Sequence, residues 1–242
     1  MSAGGGSGRI GRGECNPSRN HVILQNSSFT IDTTAPGLPG QSTPANGSTV
    51  YTLQPTVQWN AANDTNGIWK YHLKVVENWL PYWDKVDKDV GNVTAYTLSS
   101  SEALEWEENY VWRLYAVDVA GNSGNYTGER NFSTHDGTAP STPDTPDLDP
   151  GSDSGQSNSD KITNDNTPTF SWAASSDNSG GSGLDGYQYK LGNGSWTSTG
   201  NGTTPSVTLP TQPDGTYTIY VRAYDKASPA NYSGSSPGLS FT

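Results

Sequence analysis

The sequence predicts an all-β protein of two tandem sandwich modules preceded by an extended strand. Three observations carry this. Apolar and polar residues alternate in short runs, the period of a half-buried strand. These runs are punctuated by Gly, Pro, Asn and Asp clusters at spacings of about 8–12 residues, as in sandwiches and barrels. The whole order of segments also occurs twice, with Pro36 and Pro140 at equivalent points, roughly 100 residues apart and so a domain's length.

The elements follow in order. Residues 28–36 read SFTIDTTAP, residues 131–140 read NFSTHDGTAP, and the chain ends in LSFT at 239–242. Each reads as an alternating strand running to a linker or to the last residue. The boundaries divide the chain into a tail over 1–33, a first module over 34–135 and a second over 136–242. Each module opens with a Pro-rich linker, then a strand ending in Trp: PTVQW (55–59) and PTFSW (168–172). A polar loop follows, then an alternating strand, WKYHLKVVE (69–77) and YQYKL (187–191). TAYTL (94–98) matches SVTLP (206–210), and NYVWRLYAVD (109–118) matches GTYTIYVRAYD (215–225). In NYVWRLYAVD, Tyr110, Trp112, Leu114 and Ala116 share one face. Only SSSEALEWEEN (99–109) suggests a helical turn, starting at Ser101 and Glu102, with Leu104 and Trp106 docking inward.

Composition narrows the function. Leu, Ile, Val and Phe together number 36, while Trp, Tyr and Phe number 25. Disordered chains are poor in aromatics, so these residues indicate thin, aromatic cores. A net charge of −11 argues against nucleic acid and anionic membrane, both of which select basic surfaces. Cys15 is the single cysteine and cannot close an internal disulfide. No run of ~18 apolar residues is present, and the first twenty residues lack an apolar signal-peptide centre. We therefore expect either a removed targeting segment or a piece of a longer chain.

The DTTAP-type linkers (Asp32 to Pro36 and Asp136 to Pro140), SDSGQSNSDKITNDNTPTFSW (152–172), SGLDGYQYKLGNGSW (182–196), YAVDVAGN (115–122) and VRAYDKAS (221–228) carry a resemblance. They resemble the immunoglobulin-like and fibronectin type III-like modules of bacterial surface adhesins and extracellular fibril proteins. The resemblance spans residues 33–242. It implies tandem immunoglobulin-like β-sandwiches, an extracellular or cell-surface location, and in some relatives calcium. The first module departs from the pattern in its longer segment ENWLPYWDKVDKDVGN (77–92).

No catalytic constellation is legible. His21, His72 and His135 are the only histidines, and no nucleophile elbow, zinc helix or phosphate loop accompanies them. Glu105, Glu107 and Glu108 read as a solvated acidic turn. We therefore expect no enzyme. Asp, by contrast, concentrates in loops and at module ends. Ca²⁺ takes six to eight oxygens from carboxylates, carbonyls and water in irregular geometry. The loop after the first Trp strand and the loop after YAVD or RAYD can lie at one end of a sandwich, where the linker meets them. That would gather Asp64 with Asp118, and Asp177 with Asp225; Asp136, at a module end, is a further candidate ligand. The bland alternative is that these Asp residues only shape turns.

Nine N-x-S/T sequons, at Asn26, Asn46, Asn63, Asn92, Asn125, Asn131, Asn193, Asn201 and Asn231, are glycosylation candidates, against a background of plain Asn/Ser/Thr richness. Residues 21–32, HVILQNSSFTID, look like the last strand of a module that has none before it. The segment reads as the stump of a truncated preceding domain, as a strand folded back on the first module, or as a strand whose Val22, Leu24, Phe29 and Ile31 fill apolar slots of a neighbouring molecule by strand addition, where an unclosed head-to-tail contact makes a filament. The leading expectation is thus a subunit of a surface fibril, with itself as partner. Two others stand beside it: a calcium-stiffened spacer of a large adhesin, and a carbohydrate-binding accessory module using Trp69, Trp79, Trp83 or Trp196 on glycans or cell-surface ligands. For most of these Trp residues we expect core packing.

Overall fold

The computed structural model describes residues 29–79 and 83–242. The first core lies between two sheets. Strands β1 (Gly40–Thr43), β3 (Thr56–Asn60) and β6 (Ala95–Thr97) make one, in the order β1-β3-β6. The other runs β2-β8-β7-β4-β5, from β2 (Ser48–Val50), β4 (Ile68–Glu77), β5 (Asp84–Gly91), β7 (Asn109–Asp118) and β8 (Arg130–Thr134). Among the described strands only β2 and β8 pair in parallel. In the second module, β13-β10-β9 faces β12-β11-β14-β15. Its strands are β9 (Asp147–Leu148), β10 (Thr169–Ser171), β11 (Leu184–Leu191), β12 (Thr197–Ser198), β13 (Ser206–Thr208), β14 (Tyr217–Asp225) and β15 (Leu239–Phe241). The protein is all-β, with two open sandwiches. No helix among the described residues is long and apolar enough to cross a membrane.

Period-two alternation fills both cores. Tyr71, Leu73 and Val75 of β4 face inward beside Tyr110, Trp112, Leu114 and Ala116 of β7, with Leu73 opposite Leu114 and Val75 opposite Trp112. Val57 and Trp59 of β3 close the layer from the facing sheet. In the second module Tyr187, Ile219, Val221, Ala223 and Phe241 meet Phe170 and Trp172. One aromatic arrangement repeats. Trp59 meets Tyr71 edge-on at 5.4 Å, and Trp172 meets Tyr187 at 5.3 Å. Each tyrosine hydroxyl accepts a backbone N–H from the polar loop after the Trp strand, Ala62 N at 3.0 Å and Ser175 N at 2.7 Å. The sequence repeat is thus a repeat of core and loop anchorage together.

Several expectations are corrected. The turn within 99–109 is a single 3-10 turn, Ser100–Glu102, and its N-cap is Ser99 rather than Ser101. Glu102 accepts from Ser99 N at 2.9 Å and pairs with Lys88. Burial opposes ionisation of Glu102, but Lys88 and the Ser99 and Tyr96 donors outweigh it and lower its carboxyl to about 2. Leu104 is buried in the first core, whereas Trp106 donates its Nε1 to Gly180 O of the second module at 2.6 Å. Trp69, Trp79 and Trp83 are exposed rather than packed in the core. Trp196 is half-buried under Lys190 and Arg222, which lie over its ring. The strand read over 28–36 is not formed in its described part: residues 29–36 lie outside any strand.

His72 belongs to a surface ladder. Its Nε2 meets Asp87 at 2.6 Å and its Nδ1 meets Asp89 at 2.8 Å, while Lys74 pairs with Asp87 at 2.7 Å. The ladder lines β5, the edge of the five-stranded sheet. Charged edges of this kind resist pairing with another chain.

Candidate metal centre at the module junction

Residues 33–242 cluster as one unit, and the link between the two cores passes through Asp136. Three pieces of chain meet there. Asp136 follows β8 in the linker, Asp177 lies in the polar loop after the Trp172 strand, and Asp225 ends β14. Each offers a carboxylate oxygen, and these oxygens lie within 4.8 Å of one another. Asp136 and Asp225 are buried, and Asp177 is half-buried.

Every carboxylate is aimed by neighbours. Asp136 accepts Ser182 N at 2.6 Å and Thr138 N at 3.0 Å. Asp225 accepts Asn231 N at 2.7 Å, Asn231 Nδ2 at 2.7 Å and Ala227 N at 3.2 Å. Asp177 accepts Gly183 N at 2.7 Å and Asn178 N at 2.9 Å. A Cβ at Gly181 would stand 2.5 Å from the Asp177 carboxylate, so any larger residue there would displace that side chain. Burial of Asp136 favours its neutral form, but donation from the Ser182 and Thr138 amides outweighs burial and holds its pKa below the ordinary carboxylate range. Asp136 is thus held in its ionised form beside the Asp177 and Asp225 carboxylates. Among the described residues none of them shares an ion pair with Lys, Arg or His.

Asp136 also ties the modules together. Its N–H donates to Glu107 Oε1 of the first module at 3.1 Å, and its carbonyl accepts Asn231 Nδ2 of the second at 2.7 Å. Glu107 holds His135 Nδ1 at 2.9 Å. An oxygen-only set carrying three formal charges fits a hard cation such as Ca²⁺. The residues that complete the arrangement, Asn231 and Ser182, were missed in the sequence. Asn231 was read only as a sequon.

The first module carries a parallel arrangement. Asp64 and Asp118 each offer a carboxylate oxygen within 4.8 Å of the other. Asp118 accepts Asn122 N and Nδ2, each at 2.8 Å, as Asp225 does from Asn231. Burial opposes ionisation of Asp118, and these donors outweigh it, lowering its pKa. Asp64 accepts Asn66 N at 2.9 Å and Gly67 N at 3.1 Å, which is an Asx turn.

The remaining candidates are dispersed. Asn63, Asn125 and Asn193 are exposed in loops. Asn46 accepts Asn131 N through its side chain, Asn131 accepts Asn78 Nδ2, and Asn92 and Asn201 donate to the Ile68 and Ser206 carbonyls. Val22, Leu24 and Asn26 lie outside the described residues. Phe29 and Ile31 are 83% and 78% exposed.

Asp153, quoted for the resemblance without a role, is buried. Its Oδ2 accepts Lys161 N at 3.3 Å, and its Oδ1 has no partner among the described residues.

Exoglucanase B of Cellulomonas fimi is 30% identical over 174 residues, which are 70% of this chain. The chain spans 14% of that protein's length. Among solved structures, the chicken CNTN1 FN1–FN3 domains are 15% identical over 88% of this chain and 70% of theirs, at a TM-score of 0.31. The fibronectin(III)-like modules of Clostridium thermocellum CbhA are 13% identical over 82% of this chain and 93% of theirs, at a TM-score of 0.27. Residues 139–242, the greater part of the second module, match the family model described as the bacterial Ig-like domain.

Proposed function

We propose that this chain is a non-catalytic extracellular connector whose module junction is stiffened by calcium, and which holds neighbouring parts of a longer surface or secreted protein apart. The observation that carries the reading is the meeting of Asp136, Asp177 and Asp225 at the linker. A cation there would bind linker, loop and strand end at once. Three neighbouring carboxylates repel one another without it, so the ion would convert a repulsive joint into a rigid one. The likeness to part of an exoglucanase suits a spacer role beside a catalytic domain.

Thermal unfolding in millimolar calcium and in chelator tests this. Calcium should raise the melting temperature, by an amount worth about 2.7 kcal/mol when its concentration is a hundredfold above Kd. Asp177→Asn, at a half-buried site, should lose most of the shift. An unchanged transition in calcium overturns the reading.

Exposed Phe29 and Ile31 favour a second reading, a head-to-tail fibril joined by residues 21–32. Light scattering of the full chain and of one lacking residues 1–33 separates the two. Polymer in the first sample alone supports the fibril; monomers in both reject it.

A further inference from the structure

We propose that the shallow concavity lined by Trp79 and Trp83 binds a neutral oligosaccharide, with the two indoles as its stacking surfaces. These rings are 58% and 63% exposed. A Trp side chain presents roughly 150–250 Å², so two of them at one place form an apolar surface of the kind that marks a binding site. Both rings line one shallow concavity with Glu77, Asp84, Lys85, Glu105 and Glu108.

The described backbone beside the rings is held. Glu77 N donates to Trp83 O at 3.1 Å, and Asn78 N donates to Asn109 O at 2.8 Å. Asn78 Nδ2 also donates to Asn131 Oδ1 at 2.9 Å. Lys85 bridges Glu77 and Glu105 at 2.9 and 3.0 Å, which orients the Glu105 carboxylate at the rim. Pre-arranged groups of this kind lower the ordering cost of binding.

The chemistry selects the occupant. Sugar rings present an apolar C–H face that suits an indole and a periphery of hydroxyl donors that suits acceptor-only carboxylates. The four acids and one lysine of the concavity leave it net negative, which disfavours uronate or sulfated glycans and nucleic acid. Trp69 serves as a built-in comparison. It is 56% exposed, at the other end of β4, and carries Lys70 over its ring at 4.3 Å.

The test is calorimetric titration of the full chain with cellohexaose, xylohexaose and mannohexaose at low and at high salt. At least one should bind with little salt dependence. Trp79→Ala and Trp83→Ala should each weaken it by about tenfold or more, the scale of losing a central aromatic anchor, while Trp69→Ala binds like the parent. Circular dichroism of the variants should be unchanged, because the replaced rings lie outside the core. Silence with all three sugars overturns the proposal. So does binding that survives both substitutions, or binding that high salt abolishes, which would identify the acidic rim as a site for cations.

Discussion

Trp112→Ala should unfold the first module in chelator and leave the second folded. Trp112 is fully buried on β7, which lies between β4 and β8. It packs opposite Val75, and its Nε1 donates to Pro44 O at 3.1 Å. Its own carbonyl accepts Gln41 Nε2 at 2.9 Å, so the ring and its backbone hold the strand of the opposite sheet. Truncation leaves a cavity that costs about 3–5 kcal/mol and strands the Pro44 carbonyl. A small domain has only about 5–15 kcal/mol in total, so the loss is a large share of the module's stability. The second core shares no residue with the first. Calorimetry should show one transition moved sharply down and one unmoved. Phe170→Ala should do the reverse. A single transition moving as a whole would mean that the two sandwiches fold as one cooperative body, and would contradict the independence of the cores.

Asp225→Ala should destabilise the second module by about 2–4 kcal/mol in calcium and by distinctly less in chelator. Two opposed effects set this difference. The carboxylate accepts three N–H groups, from Ala227, Asn231 and the Asn231 side chain. Removing it strands buried donors, at about 1–3 kcal/mol for a group left without a partner. Without a cation, the same change also relieves repulsion from Asp136 and Asp177, which offsets part of the loss. With a cation bound, no repulsion remains to be relieved and a ligand disappears. The measurement is denaturant unfolding of parent and variant in both conditions. An equal loss in the two would mean that Asp225 serves only its turn, and the calcium reading of the junction would fall with it.

Much of this molecule is legible from residues alone. Alternation in NYVWRLYAVD assigns Tyr110, Trp112, Leu114 and Ala116 to one face, and all four are buried in the first core. This works because a strand's side-chain period is two whatever it packs against. The repeated Trp strand and following Tyr strand likewise come through as the Trp59–Tyr71 and Trp172–Tyr187 pairs. Asp in the loops after particular strands is readable too, since loop position follows from strand order.

Other features needed the third dimension. Nothing local distinguishes Trp106, which reaches Gly180, from a core residue, because its partner lies in the other module. Trp79, just after β4, and Trp83, just before β5, are exposed, and composition carries no such information. Asn231 looks like any sequon until β14 brings it against Asp225 and Asp136. The sequence by itself determined the long alternating strands β4, β7, β11 and β14, the buried face of β7 and the order of segments that repeats, because these follow from short-range periodicity. Only the tertiary structure decided which acids share a site and which aromatics face water, because both depend on contacts between residues distant along the chain.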